Sequence, residues 1–117
     1  MPYVADELLQ RIEAAVDRTI QMSLALPRNV AGQEIGRQVI RSAGGAGANL
    51  EEGKAVLSRK DYTYKVSLAL REARETLFWI RRVERNCLMP VSRLKDLAKE
   101  WDEIVAILTS MVKKLRK

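Results

Sequence analysis

Lys60, Arg71, Arg74, Arg81, Arg82 and Arg85 fall together when the segment after Ser58 is wound as a helix. They share an arc about 100° wide, at about 100° per residue. Tyr64 and Phe78 lie in the same arc. Glu72 and Glu75 lie at or beyond its edge, so the arc itself contains no acid. A solvated helix face ordinarily mixes signs, because like charges three or four residues apart repel. A single-sign run therefore calls for a counter-charge. Arginine dominates it, and the guanidinium fork recognises phosphate and carboxylate bidentately. Phe78 among the arginines offers a face on which an unpaired base can stack. The chemistry these residue types allow is the binding of a polyanion, RNA or DNA, or of an acidic partner. The competing use is pairing with acids of a neighbouring helix or subunit.

A second group could do chemistry through its backbone. Seven consecutive residues, Ser42 to Ala48, carry almost no side chain, and Gly44, Gly45 and Gly47 are among them. Glycines inside a helix cost roughly 1 kcal/mol each relative to alanine, so these three need an offset. One offset is close approach of another helix, and another is a ligand that touches the backbone. The phosphate-binding loop G-x-x-x-x-G-K-[ST] fails, since five residues rather than four lie between Gly47 and Gly53, and Ala55 follows Lys54. The dinucleotide fingerprint G-x-G-x-x-G fails at Leu50 and has no strand before it. Helix packing or an oligomer contact is the expected use of Gly44, Gly45 and Gly47, and of Asn49 beside them.

Composition removes most catalytic routes. The chain has no histidine and one cysteine, Cys87, so the commonest general base and metal ligand are missing. Most carboxylates stand near Arg or Lys at helical spacing, as solvated ion pairs do. The chain is expected to be a non-enzyme, with no cofactor and no metal. A third possibility is an enzyme using Glu52, Glu72 and Glu75 on a nucleotide, which would require a divalent metal. A single cysteine excludes an internal disulfide and fits a reducing, cytoplasmic setting. Neither a secretory signal nor an apolar run long enough to span a membrane is expected. Net charge is +6 and uneven: residues 1–34 carry three basic and five acidic side chains, residues 35–117 eighteen and ten. Such asymmetry suits a polyanion or acidic partner.

These groups must be positioned by helices. The 117 residues suit a single domain over 1–117, with a core of Leu, Ile, Val and Ala, since aromatics are only 5%. The first helix is expected from about Asp6 to Leu26, ended by Pro27 and Asn29. The second runs from about Gly32 to Glu52, with Gly53 as its stop. Ser58 caps the third, which reaches about Asn86 with Tyr62, Val66, Ala69, Leu70, Ala73, Leu77, Ile80, Val83 and Cys87 on its core face. Pro90 breaks the chain and Ser92 caps the fourth. There Leu94, Leu97, Trp101, Ile104, Leu108, Met111 and Leu115 alternate spacings of three and four. The expected fold is all-α, an antiparallel up-down-up-down bundle of four helices. Trp79 lies off the core arc next to Leu68, more apolar surface than one bundle needs, so an oligomer seam is expected there.

Two stretches resemble a known family. Arg37-Gln-Val-Ile-Arg-Ser-Ala through Ala48-Asn-Leu-Glu-Glu-Gly53 is similar to Q-I-x-R-A-x-x-S-I-x-x-N-I-x-E-G, and Ser67 to Ile80 is similar to A-x-x-E-A-x-E-T-x-Y-W-L. Both motifs belong to the four-helix-bundle proteins encoded in intervening sequences of bacterial large-subunit rRNA genes. The accessory variability protein of diversity-generating retroelements is a relative. Asn49, Glu52, Gly53, Glu72, Glu75 and Trp79 match family positions, whereas Gly45 stands where serine is usual and Gly47 where proline is frequent. The resemblance implies a homopentameric ring of bundles with a basic surface and nucleic-acid association. In the retroelement relative it also implies contact with a reverse transcriptase and its RNA.

Overall fold

The computed structural model describes residues 2–117, with side chains from Asp6 onward. It consists of α1 (Pro2–Leu24), α2 (Val30–Gly53), α3 (Arg59–Arg85) and α4 (Val91–Leu115), and no strand occurs among the described residues. The all-α four-helix expectation holds. α1 begins earlier than expected, with Pro2 as its first residue, a position where the missing amide costs nothing.

The turn between α1 and α2 rests on two residues. The Asn29 side chain accepts a hydrogen bond from the Gly32 amide at 2.8 Å, so Asn29 caps α2 rather than merely ending α1. Gly32 sits directly against the Pro27 carbonyl, and a Cβ there would overlap that oxygen. Further along, Ser58 caps α3 as expected, accepting from the Asp61 amide at 3.0 Å.

α3 closes in a Schellman turn. The Leu88 amide donates to the Val83 carbonyl and the Cys87 amide to the Glu84 carbonyl, both at 3.1 Å, with Cys87 left-handed at φ 55°. Cys87 is exposed there, which corrects its expected place on the core face. Ser92 does not cap α4. Pro90, at φ −59° and ψ 136°, holds the cap position without a side-chain hydrogen bond, and Ser92 is exposed in the first turn.

Each helix touches two others: α2 meets α1 and α3, and α4 meets α3 and α1. Among the described residues the backbones of α1 and α3, and of α2 and α4, lie farther apart, so these pairs stand diagonally across the shared core. Along α2 and α3, Gly53 lies near Tyr62, Gly45 near Glu72, and Ser42 bonds Thr76. The core takes Ile12, Val39, Ala43, Ala46, Leu50, Val66, Ala69, Ala73, Ile80, Val83, Leu94, Ile104 and Leu108, all fully buried. Nearly the whole α4 seam is buried as read. At its C-terminal end Val112 turns inward while Met111 is only partly covered, because a straight helix drifts off a strict heptad.

Three buried polar residues, Thr19, Ser42 and Thr76, bind the core crosswise. The Trp101 indole N–H donates to Thr19 Oγ1 at 2.9 Å, joining α4 to α1. The Thr76 hydroxyl lies 2.9 Å from Ser42 Oγ, joining α3 to α2. Outside the core, Arg11 clasps Glu100 and Glu103 of α4, both at 2.6 Å. Arg59 donates to the carbonyls of Lys114 and Leu115 at 3.2–3.4 Å, satisfying orphan acceptors at the end of α4.

Candidate nucleic-acid interface

The outward arc of α3 divides into a centre and two edges. The core face of the helix is formed by Val66, Ala69, Ala73, Thr76, Leu77, Ile80 and Val83, while Tyr62 and Leu70 sit half-buried at its margins. Lys60, Arg71, Arg74, Arg81 and Arg85 are exposed on the opposite side, as expected. Lys60, Arg71, Arg74 and Arg85 have no acidic partner among the described residues.

The edges are different. On the α4 side, Arg81 Nη2 lies 3.7 Å from Asp102 Oδ1, a loose pair between exposed groups. The acid comes from another helix, which winding α3 alone could not reveal. On the α2 side, the Arg82 guanidinium lies over the Phe78 ring, 4.7 Å from its centroid. Arg82 Nε is buried there without a hydrogen-bond partner. The Trp79 ring meets Phe78 edge-on at 5.0 Å. Phe78 is therefore not an open stacking platform. One face is covered by Arg82, and the ring remains 48% exposed.

Beyond this edge lies an ion-pair cluster that the arc did not include. Arg41 of α2 pairs with Glu75 and stands 3.5 Å from Glu72, and Trp79 Nε1 donates to Glu75 at 3.2 Å. Trp79 is half-buried and packs against the core, with only part of its surface left for a seam. Leu68 is likewise half-buried. Glu52 pairs with Lys65, so Glu52, Glu72 and Glu75 each face a cation. Among the described residues no group of three or more acidic or Cys side chains is placed to hold a metal.

The small-residue stretch of α2 is not one uniform packing face. A Cβ on Gly45 would lie 3.1 Å from Cγ and Oε2 of Glu72, a tight approach. A Cβ on Gly47 would make ordinary contacts with Val16 and Ile12 at 3.6–3.7 Å. Nothing lies within 4 Å of a Cβ on Gly44, which corrects its expected role as a helix contact within the protomer. Gly44, Gly47 and Ala48 instead line an open groove with Glu13, Asp17 and Glu51. Asn49 uses its amide locally, donating to the Gly45 carbonyl at 2.8 Å.

One residue of the basic face went unread in the sequence. Arg116, just past α4, reaches across to α3, with Nη2 3.5 Å from Ser67 Oγ. Its position four residues after Val112, on the side of α4 that meets α3, was the available signal. No helix of the described residues is long and apolar enough to cross a membrane.

A family model described as 23S rRNA-intervening sequence protein matches residues 6–110. Among solved structures, a protein of unknown function from the S23 ribosomal protein family of Bacteroides thetaiotaomicron is similar. It superposes with a TM-score of 0.80 at 26% identity, over 91% of this chain and 98% of that one. Comparison with curated proteins gave no match.

Proposed function

Because the chain belongs to the 23S rRNA-intervening sequence protein family, we propose that it is a non-catalytic bundle that binds RNA, or a nucleoprotein partner, through the outward face of α3. The observation that carries this reading is the centre of the arc. Lys60, Arg71, Arg74 and Arg85 stand exposed without acidic partners among the described residues, and same-sign neighbours on one helix repel until a polyanion neutralises them. Phosphates supply that counter-charge, and guanidinium groups recognise them with directional hydrogen bonds.

The reading includes an antiparallel up-down-up-down order, supported by contacts that pair the end of α2 with the start of α3 and the end of α4 with Arg59. It also includes a cytoplasmic homopentamer. Support for assembly lies in the uncovered parts of Trp79 and Leu68 and in the open acidic groove at Gly44, a surface opposite in charge to the α3 arc. A ring would repeat the basic arc and raise avidity without new contacts. A reverse transcriptase with its RNA is one nucleoprotein of the required kind.

The alternative is an interaction module whose arginines join subunits. The Arg81–Asp102 pair favours it for the α4 edge of the arc. RNA binding measured across a salt series separates the two. Affinity should fall steeply with salt, and Arg71→Glu with Arg74→Glu should flatten the slope by about 0.7 per lost single-strand phosphate contact. Unchanged RNA binding together with dissociation into protomers would replace the RNA reading with the interaction module.

A further inference from the structure

The basic face contains one concave site. Ser67, Leu70, Arg71, Arg74, Val112 and Arg116 line a groove between α3 and the end of α4, with a volume of about 260 Å³. Its floor is apolar, Leu70 and Val112, and its one neutral polar group is the Ser67 hydroxyl. Three guanidinium groups stand around it and no acid lines it. The Arg116 side chain is drawn toward α3 through Ser67 Oγ, so the two helices contribute cations to one place.

The end of a helix ordinarily repels anions, because its unpaired carbonyls carry partial negative charge. Here Arg59 occupies the carbonyls of Lys114 and Leu115, which removes much of that repulsion. The groove is smaller than the roughly 300–1,000 Å³ of pockets that enclose a whole drug-sized ligand. It suits a compact headgroup whose remainder stays outside.

We infer that this groove is a phosphomonoester site that takes the terminal phosphate of a nucleotide or of an RNA strand. A phosphomonoester carries a charge near −2 at neutral pH and presents three strong acceptor oxygens, against a single charge for an internal phosphodiester. Three cations without an acid match the former. This inference deepens the RNA-binding reading by giving the arc a subsite that distinguishes strand ends from strand interiors.

Binding of a short oligouridylate is measured in three forms: hydroxyl-ended, 5′-phosphorylated and 3′-phosphorylated. Uridine monophosphate is measured alongside. At least one phosphorylated form should bind about tenfold tighter than the hydroxyl-ended strand, the effect of one or two charge-assisted hydrogen bonds. Arg116→Gln should abolish that preference, read as the ratio of phosphorylated to hydroxyl-ended affinity in the same variant, so that the uniform weakening from losing one cation of the basic face cancels; circular dichroism checks that it folds. Equal affinity of all three strands for the native protein overturns the site, while the RNA-binding reading survives. Uridine monophosphate binding that Arg116→Gln removes, in a protein with no affinity for the hydroxyl-ended strand, upholds the site and overturns the RNA-binding reading. A preference that persists in Arg116→Gln means that the added charge is sensed elsewhere, and overturns the assignment to this groove.

Discussion

Glu72 lies over Gly45 so closely that a Cβ on residue 45 would stand 3.1 Å from the carboxylate Oε2. That oxygen is buried and has no hydrogen-bond partner, although Arg41 is nearby at 3.5 Å. Serine here, the residue usual in the resembled motif, would bring a hydroxyl within reach of the orphan oxygen. It would also relieve a helix-interior glycine. Gly45→Ser should raise stability by about 0.5–1 kcal/mol, read from the denaturant midpoint. A lower midpoint would mean that the Glu72 side chain cannot yield the few tenths of an ångström required. Gly45→Leu has no such compensation and should cost about 1–3 kcal/mol.

Gly32 gives the sharper glycine effect. Its missing Cβ is what allows the Pro27 carbonyl to lie against α2. Gly32→Ala should destabilise the bundle by about 2 kcal/mol or more, because the obstacle is backbone rather than a flexible side chain. Gly44→Ala, facing open space, should be neutral or stabilising by up to about 1 kcal/mol. Equal melting temperatures for the two alanine variants would contradict this.

The Trp101–Thr19 hydrogen bond predicts a cost without a change of shape. Thr19→Val keeps the volume but leaves the fully buried indole N–H unpaired. The expected loss is about 1–3 kcal/mol. Adding Trp101→Phe to Thr19→Val removes the orphan donor, so the double variant should lose less than the sum of the single variants. Strict additivity in that cycle would mean the hydrogen bond contributes nothing.

Cys87 holds the left-handed corner of the turn after α3 with a side chain that disfavours it. Cys87→Gly should stabilise the protein by about 1 kcal/mol, since glycine enters this region freely. Cys87→Val should do the opposite. Thermal melts of the three proteins should rank glycine, cysteine, valine from highest to lowest.

Acid should loosen the α1–α4 side. Hydrogen bonds from Arg11 hold the Glu100 carboxyl below its ordinary value of 4.5, against a smaller opposing effect of burial. A depressed carboxyl contributes stability that is present above the unfolded pKa and is lost as pH falls through the folded one. Stability should therefore be constant from neutral pH to about 5 and fall below 4.5. Arg11→Met should reduce the acid-induced fall by about 1 kcal/mol or less, because these groups are partly solvated. An identical fall in the variant would place the acid sensitivity elsewhere.

The parts of this molecule legible in the sequence were those set by periodicity. Helix α4 and the buried side of α3 follow from apolar spacing, and Ser58 from its cap signal. What could not be read depends on a partner from another helix. Thr19, Ser42 and Thr76 are unremarkable polar residues until the opposing helix supplies their hydrogen bonds. Arg81 belonged to an acid-free arc until α4 brought Asp102 beside it. Gly32 carries no motif, and only the path of the preceding turn makes it obligatory. Gly44 and Gly45 are adjacent in sequence yet point to open space and to Glu72, so composition alone could not assign them one role.

The small-residue stretch of α2 also bears on how the molecule could move. Its three glycines weaken that segment by about 2–3 kcal/mol as an isolated helix. Its helical state is therefore sustained by α1 and α3 on either side. Pulling α3 away would melt this part of α2 rather than swing it aside as a rigid arm. Any partner that pries the bundle open along that seam meets a folding transition, not a hinge, and its binding must carry the heat-capacity signature of unfolding.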